Sequence, residues 1–458
     1  MRVLHVLANS SPDLNGYAIR SHDILKSQSE SENIEPYVLT SPFYPERQSM
    51  ADEVTIDGIT YHRCVHPTHL KKNKKLLDKF VANIGRRRIN ITKERDSGIV
   101  KRRPVRYMMR RVLTPARLFA RWVEERVLMQ KLKREILAHI SETNPAIIHA
   151  HTPYRVGLPA LLAAKKCGLP FVYEMRGVWE DTAVINGRWK EGGIPYSRFR
   201  RLENKVLRNA DRVICISEQL RLDAIERGVE AAKITIVNNA VNEKLVDDSS
   251  TDEPDEIEGL RQQLDKSNGI ITIGYTGSIQ PLEGLDILAM GVAELVERGN
   301  DVRLLVVGNA KGQTGLFEKC KSLGIAEKCV IIGPVPREHI KHYLKLIDIY
   351  AICRPGGFRV TQLVTPLKPF EAMLAGCPII ASNLPALTEA IQDKETGMFF
   401  EAGNHLALAT TLETMIDSAD LRTRLASQAK DWVLAERTWK IMVKRYTKVY
   451  LELFRDTS

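Results

Sequence analysis

The chain has 458 residues, 44% hydrophobic and 27% charged, a globular composition long enough for two or three domains, which excludes disorder, collagen and a disulfide-stapled mini-protein. Its formal charge of +11 is unevenly spread: residues 71–134 hold 22 Lys and Arg against five Asp and Glu, a +17 block that leaves −6 for everything else. Such a block invites nucleic acid, an anionic membrane or phosphorylated ligands as partners, but it says little about the body of the protein.

Along the chain, short apolar runs ending in turn residues alternate with helix-period segments, the pattern of parallel sheets with crossover helices. Residues 3–7 are the expected first strand. The run is broken by His5 and followed by Asn9-Ser10-Ser11-Pro12-Asp13, unlike the core of a signal peptide. Further strands are expected at 37–40, 147–150, 171–174, 213–216 and 234–237, and helices at 20–29, 116–140, 158–166, 196–209 and 218–226. The acidic stretch 247–255, DDSSTDEPD, buries nothing and marks a boundary. The pattern then restarts, with strands at 271–274, 303–307, 329–332, 349–352, 379–381 and 397–400, and helices at 284–298, 315–323, 337–345 and 371–375. The expected division is a first domain over 1–245 with a basic insertion at about 66–135, a linker over 246–268, a second domain over 269–435, and a helix over 436–458 returning to the first domain. No run approaches the roughly 18 apolar residues of a membrane span. The seven scattered cysteines form no CxxC or Cys/His cluster, and read as reduced thiols of a cytoplasmic protein.

Inside the basic block, Tyr107, Val112, Leu118, Trp122 and Val127 alternate at helical spacing with Arg110, Arg111, Arg117, Arg121 and Arg126. An amphipathic basic helix suits an anionic membrane interface. Packing of half of it on a sheet, or a solvated surface arm, is the alternative.

Two stretches are dense in chemistry. In the first, Lys368 and Glu371 follow Pro366 and share one face at a helix start. A cation with free backbone N–H groups makes an anion site, and a carboxylate one turn on can accept two ribose hydroxyls. An ordinary helix with an i, i+3 ion pair covers the same residues. The second runs from Tyr173 to Asp181, where carboxylates and an aromatic face suit a sugar ring. Arg176, Trp179 and Glu180 are expected in a cleft on the acceptor side, joined by Tyr154 and Arg155.

In chain order, Ser11-Pro12-Asp13-Leu14-Asn15-Gly16, His149-Ala150-His151, the 210–217 stretch ADRVICIS, Asn238-Asn239-Ala240-Val241-Asn242, Tyr275-Thr276-Gly277-Ser278, Gly284, Gly308, Gly333, Lys368-Pro369-Phe370-Glu371-Ala372-Met373, Gly376-Cys377-Pro378 and Glu389 together resemble the retaining glycosyltransferases of family 4. The pairing of VTPLKP-x-EAM with GS-x-x-P-x-EG resembles a subgroup among bacterial polysaccharide-assembly transferases. The resemblance implies an α/β chain of the GT-B fold: two facing Rossmann-like, doubly wound parallel-sheet domains with a cleft between them. It implies transfer of a sugar from a nucleotide diphosphate-sugar, a UDP-sugar first and GDP-mannose next, to a hydroxyl of a lipid-linked or oligosaccharide acceptor in cell-surface polysaccharide synthesis. Configuration would be retained with neither cofactor nor metal, and the sequence carries no plausible DxD motif.

On the matching positions, Glu371 would hold the ribose, Lys368 the diphosphate, and Gly16, Gly277, Ser278 and Gly308 would let backbone approach the nucleotide. His151 would stand near the transferred sugar and act with Lys368 in catalysis, and His149 would support it. No protein nucleophile is expected.

Three departures stand out. The residue eight before Glu371 is Leu363 where the family has an acid, with Gln362 the nearest polar group. Ser278 and Glu283 occupy the places of the Arg and Lys that hold the diphosphate. Arg354 and Arg359 are the expected replacements, because guanidinium binds phosphate bidentately. A hydrolase or epimerase of nucleotide-sugars is the nearest alternative reading. A basic nucleic-acid-binding protein is a more distant one, since no RNA-module signature accompanies the charge. The expected setting is cytoplasmic, at the inner face of the cell membrane.

Overall fold

The protein, seen in a computed structural model, has two α/β units. The structure describes residues 1–13, 15–43, 52–64, 104–246, 252–308 and 310–457, without the side chains of 104–119, 310–311 and 456–457. The first unit is built on strands β1 (Arg2–Leu7), β2 (Glu35–Thr40), β3 (Glu53–Ile56), β4 (Ile59–Arg63), β5 (Ile147–His151), β6 (Phe171–Met175), β7 (Arg212–Cys215) and β8 (Ile234–Ile236), in the order β3-β4-β2-β1-β5-β6-β7-β8. All pairings are parallel except β3 with β4. Its helices are α1 (Gly16–Ser29), α2 (Pro104–Thr143), α3 (Tyr154–Cys167), α4 (Trp179–Ile185), α5 (Ile194–Asn209) and α6 (Glu218–Glu226). Helices cover both faces, so the central strands are mostly apolar: Val3, Leu4, Val6 and Leu7 are all fully buried.

The second unit has helices α7 (Glu256–Gln263), α8 (Leu285–Glu297), α9 (Ala310–Ser322), α10 (Ile340–Leu344), α11 (Arg359–Leu363), α12 (Lys368–Leu374), α13 (Pro385–Thr388), α14 (His405–Ile416) and α15 (Ala419–Glu436). They surround β9 (Ile271–Gly277), β10 (Val302–Gly308), β11 (Cys329–Ile332), β12 (Ile349–Ile352), β13 (Ile379–Ser382) and β14 (Met398–Phe400), ordered β11-β10-β9-β12-β13-β14 and wholly parallel. The final helix, α16 (Trp439–Thr457), lies on the first unit. Its Trp439, Met442, Tyr446, Tyr450 and Leu453, at helical spacing, pack with Val3, Ile24 and Ile147. Each such buried side chain contributes roughly 1.5–3 kcal/mol. The two chain crossings between units are tied together, Val241 N–H to the Arg437 carbonyl (2.8 Å) and Trp439 N–H to the Val241 carbonyl (3.2 Å).

Three expectations need adjustment. Residues 256–263, read as linker, form α7 and bury Ile257 and Leu260 in the second core, beside Leu264. The helix expected from 116 begins at Pro104, a residue suited to a first turn because it has no N–H to leave unpaired. Most of the basic insertion, 65–103, falls outside the described residues. No described helix is long and apolar enough to cross a membrane.

In each sheet the strand order reverses once: between β1 and β5 in the first, between β9 and β12 in the second. Crevices at the carboxyl ends of the strands flanking such a reversal are where doubly wound sheets bind ligands.

Candidate functional site

On the first side, strand register assembles the residues. β1 and β5 set His5 opposite His149, and β5 and β6 set His151 opposite Glu174. Glu174, fully buried, is the hub. It accepts from Arg20 Nε (3.1 Å), Arg176 Nε (2.8 Å) and the Tyr446 hydroxyl (2.9 Å). Burial alone would push its carboxyl up, but Arg176 and Arg20 hold it well below the ordinary carboxylate range.

Arg176 also donates to Ser21 Oγ (2.7 Å) and to His151 Nδ1 (2.6 Å), with its guanidinium 4.7 Å from the centre of the Tyr17 ring. A guanidinium only donates, so His151 must carry its proton on Nε2, 3.1 Å from His5 Nδ1. His5 then carries its own on Nε2. Burial, then the neighbouring charges and imidazoles, depress His151 and His5 well below the usual histidine range. His149 is lowered chiefly by burial, and its Nδ1 meets the Tyr450 hydroxyl at 2.7 Å. These three imidazoles have ring nitrogens within 4.8 Å of one another, close enough for a metal ion. Both nitrogens of His151 are already engaged by Arg176 and His5, so His5 and His151 form a hydrogen-bonded pair while His149 turns to Tyr450.

Gly16 opens α1, whose N-cap Asn15 accepts from Ala18 N–H (3.0 Å). A Cβ at Gly16 would meet nothing within 4 Å. Among the described residues nothing crowds the backbone there.

On the second side, β9 ends at Gly277 and β12 runs into Arg354. Gly277 has φ +137°, and a Cβ there would stand 2.4 Å from Lys368 Cε. Its absence makes the channel through which the lysine reaches Glu283. That acid, only 3% exposed, takes Lys368 Nζ at 2.9 Å on one oxygen and Arg354 Nε at 3.4 Å on the other. Burial opposes ionisation, yet Lys368 and then Arg354 hold the Glu283 carboxyl down to about 2. One carboxylate between two cations leaves the trio at +1 at the switch point. The Ser278 carbonyl is turned to the Tyr275 hydroxyl (3.0 Å), and a Cβ at Gly308 would stand 2.1 Å from the Gly277 carbonyl oxygen.

Glu371 lies on α12 near Arg337, which grips Asp23 of α1 with two bonds of 3.0 and 2.7 Å. Desolvation raises the Glu371 carboxyl, with Arg337 pulling the other way and Asp23 adding to the rise. The Asp23–Arg337 pair bridges the two units. So do Glu389, whose oxygens accept from the N–H groups of Glu218 (2.8 Å) and Gln219 (3.1 Å) at the start of α6, and Ser217 Oγ, which donates to the Leu363 carbonyl (2.7 Å).

The residues expected in the site separate into groups. Lys368, Gly277, Ser278, Gly308, Arg354 and Glu371 gather on the second side, and Gly16, His151 and Arg176 on the first. Trp179 is half-buried, edge-on to Tyr17 with ring centres 6.3 Å apart.

Four residues lie elsewhere. Arg359, expected at a diphosphate, pairs with Asp181 (3.2 Å) and Asp223 of the first unit, whose two carboxylates capture it. Tyr154, expected on the acceptor side, is fully buried with its hydroxyl on Glu125 (2.7 Å), and Arg155 binds the same acid (3.1 Å) in the packing of α2, α3 and α5. Glu180 is buried against Arg227 (2.8 Å) and presents no open carboxylate. The sequence reading missed His5, Glu174 as a hub, Asp23 and Arg337. A histidine facing a histidine across β1 and β5 was the available signal for the first.

The family model described as "Glycosyl transferases group 1" matches residues 256–432, and the "Glycosyl transferase 4-like domain" model matches residues 31–240. The D-inositol 3-phosphate glycosyltransferase of Rhodococcus erythropolis is 27% identical over 62% of this chain and 63% of its own, and that of Nocardia farcinica 25% identical over 62% and 61%. The matched region is therefore less than two thirds of these relatives' length. Among solved structures, sucrose-phosphate synthase from Thermosynechococcus elongatus superposes with a TM-score of 0.70 at 15% identity, covering 99% of both chains. Anabaena HepE in complex with UDP-glucose superposes with a TM-score of 0.64 at 16% identity, again over 99% of both. The fold is that of the GT-B proteins.

Proposed function

Since the chain belongs to the glycosyltransferases, joining a 4-like domain to a group 1 domain, we propose that it moves a sugar from a nucleotide diphosphate-sugar, a UDP-sugar first, to a hydroxyl of a saccharide or lipid-linked saccharide. The observation that carries this reading is the Lys368–Glu283–Arg354 trio at the reversal point of the second sheet, together with the Arg176–His151–Glu174 cluster at the reversal point of the first. Anabaena HepE, of the same fold, forms complexes with UDP and with UDP-glucose, which favours uridine among nucleotides.

In the proposed reaction the acceptor oxygen forms a bond to the anomeric carbon as the bond from that carbon to the diphosphate breaks. The acceptor's proton passes to the departing phosphate on the same face of the sugar, so configuration is retained. The nucleoside diphosphate leaves with its added charge beside Lys368. Fixed cations stabilise charge that develops in the transition state without reorganising. Glu283 keeps the lysine extended and neutralises one of the two cations before the donor arrives. Glu371 accepts the ribose hydroxyls, and neutral His151, held by Arg176 and His5, lies on the sugar side. The leaving diphosphate needs no protein nucleophile.

The test is incubation with UDP- and GDP-sugars and a hydroxyl acceptor, following nucleotide release and the anomeric proton of the product. Release of UDP with a product of the donor's own configuration is expected. A product of inverted configuration, or transfer only to water, sinks this reading.

A further inference from the structure

A second surface lies where three helices of the first unit meet. Helices α2, α3 and α5 enclose a groove of 490 Å³ floored by Trp122, Met129, Leu158, Pro159 and Leu202. Two of its apolar residues are open to solvent, Val123 at 47% and Leu162 at 39% exposure. The same helix α2 buries Leu132 and Ile136 in the core, against which Met129 also packs, whereas Val123 stands clear of it. Cations stand around the rim: Arg126, Lys133 and Arg198, the last with its guanidinium 5.1 Å from the Trp122 ring centre.

Across α5 a second, polar groove is lined by Arg200, Arg201, Lys205 and Arg208. Neither groove has an acidic residue in its lining. Among the described residues, Arg126, Lys133, Arg201 and Lys205 make no ion pair. The one acid of α5, Glu203, is turned inward and buried. Toward its N-terminus α2 continues back to Pro104 through a stretch whose sequence has Arg106, Arg110, Arg111 and Arg117 and no acid.

We propose that this face binds an anionic phospholipid bilayer, acyl chains meeting the apolar groove and headgroup phosphates meeting the surrounding cations. Arg198 is paired with Glu125 (2.7 Å), and among the described residues the other rim cations are not paired; apolar surface fringed by such cations on helices lying side by side is what an anionic interface selects. Nucleic acid would use the cations but has nothing to bury against Val123, Leu158, Leu162 and Leu202. The inference is independent of the sugar-transfer reading, since no residue is shared.

Flotation of the full-length protein with vesicles of phosphatidylglycerol and phosphatidylcholine, against phosphatidylcholine alone, tests it. Binding is expected only to the anionic vesicles and to weaken with added salt. L162D and V123D, both at exposed positions, are expected to weaken it at unchanged thermal midpoint, and R201S and K205S each to lower partitioning roughly fivefold. No binding to anionic vesicles overturns the proposal. Full binding by all four variants overturns it too, by moving the contact elsewhere. A protein that binds single-stranded RNA but not vesicles, and loses RNA through R201S and K205S, has a nucleic-acid face instead.

Discussion

Glu283 shows how one residue can reverse its meaning between sequence and structure. In sequence it stands where a phosphate-binding lysine is usual and reads as a loss. In space it is the counter-ion that brings Lys368 and Arg354 together. Its folded carboxyl lies at about 2, below the ordinary 4.5. A depressed carboxyl stabilises the fold above the unfolded value, and that stability is lost as pH falls from about 4.5 toward about 2. Glu283→Gln should therefore cost on the order of 3 kcal/mol at neutral pH and converge on the wild type near pH 2, as read by denaturant unfolding across that range. The histidines have the opposite chemistry with the same sign. His5, His149 and His151 are kept neutral by burial, so below about pH 6.5 the unfolded chain binds protons that the folded chain refuses. Stability should fall with decreasing pH by about 1.4 kcal/mol per unit for each of them. His5→Gln should remove one proton's worth of that slope, and an unchanged slope would contradict the neutral assignment.

At the scale of elements, the alternation of apolar runs and helix periods made nearly every central strand legible, because strands buried on both faces announce themselves as Val- and Ile-rich runs. Short helices were harder. Residues 256–263 carry only Ile257 and Leu260 as apolar anchors amid acids and glutamines, too few for a periodicity to emerge beside DDSSTDEPD. The site was legible in part for the same reason. Lys368, Gly277 and Glu371 lie in contiguous motifs, whereas Asp23 meets Arg337 only where the two units dock, and His5 meets His151 only through strand order. Tyr154 misled because it follows His151 directly, yet the first turn of α3 points it at Glu125. Gly284, between β9 and α8, tests the local geometry. At φ +69° a Cβ would stand 1.7 Å from the Cys353 carbonyl oxygen. Gly284→Ala should therefore displace the loop bearing Arg354 and destabilise by about 2–3 kcal/mol or more, measured by denaturant unfolding.

At the scale of the molecule, the two units are joined by an apolar contact, Val360 with Phe358, Leu363 and Val364 against the core of the first unit, and by polar ones: Asp23–Arg337, Glu389 on the start of α6, and Arg359 on Asp181 and Asp223. The polar contacts are the part of such an interface that relative motion of domains can exchange with water. Loss of two of them in an R337A/E389A double variant should enlarge the radius of gyration in solution scattering, and an unchanged radius would show that the remaining contacts suffice. In the proposed reaction the two units must act together, because the Lys368–Arg354 cations are on one unit and the Arg176–His151 cluster on the other. The central claim is that a nucleoside diphosphate binds at Lys368, and thermal unfolding with and without UDP tests it most directly. UDP at about 100 times its dissociation constant should stabilise the wild type by about 2.7 kcal/mol, while Lys368→Met should need roughly 10- to 100-fold more UDP for the same shift. A wild type that UDP leaves unmoved, or a Lys368→Met variant that responds as the wild type does, would contradict it.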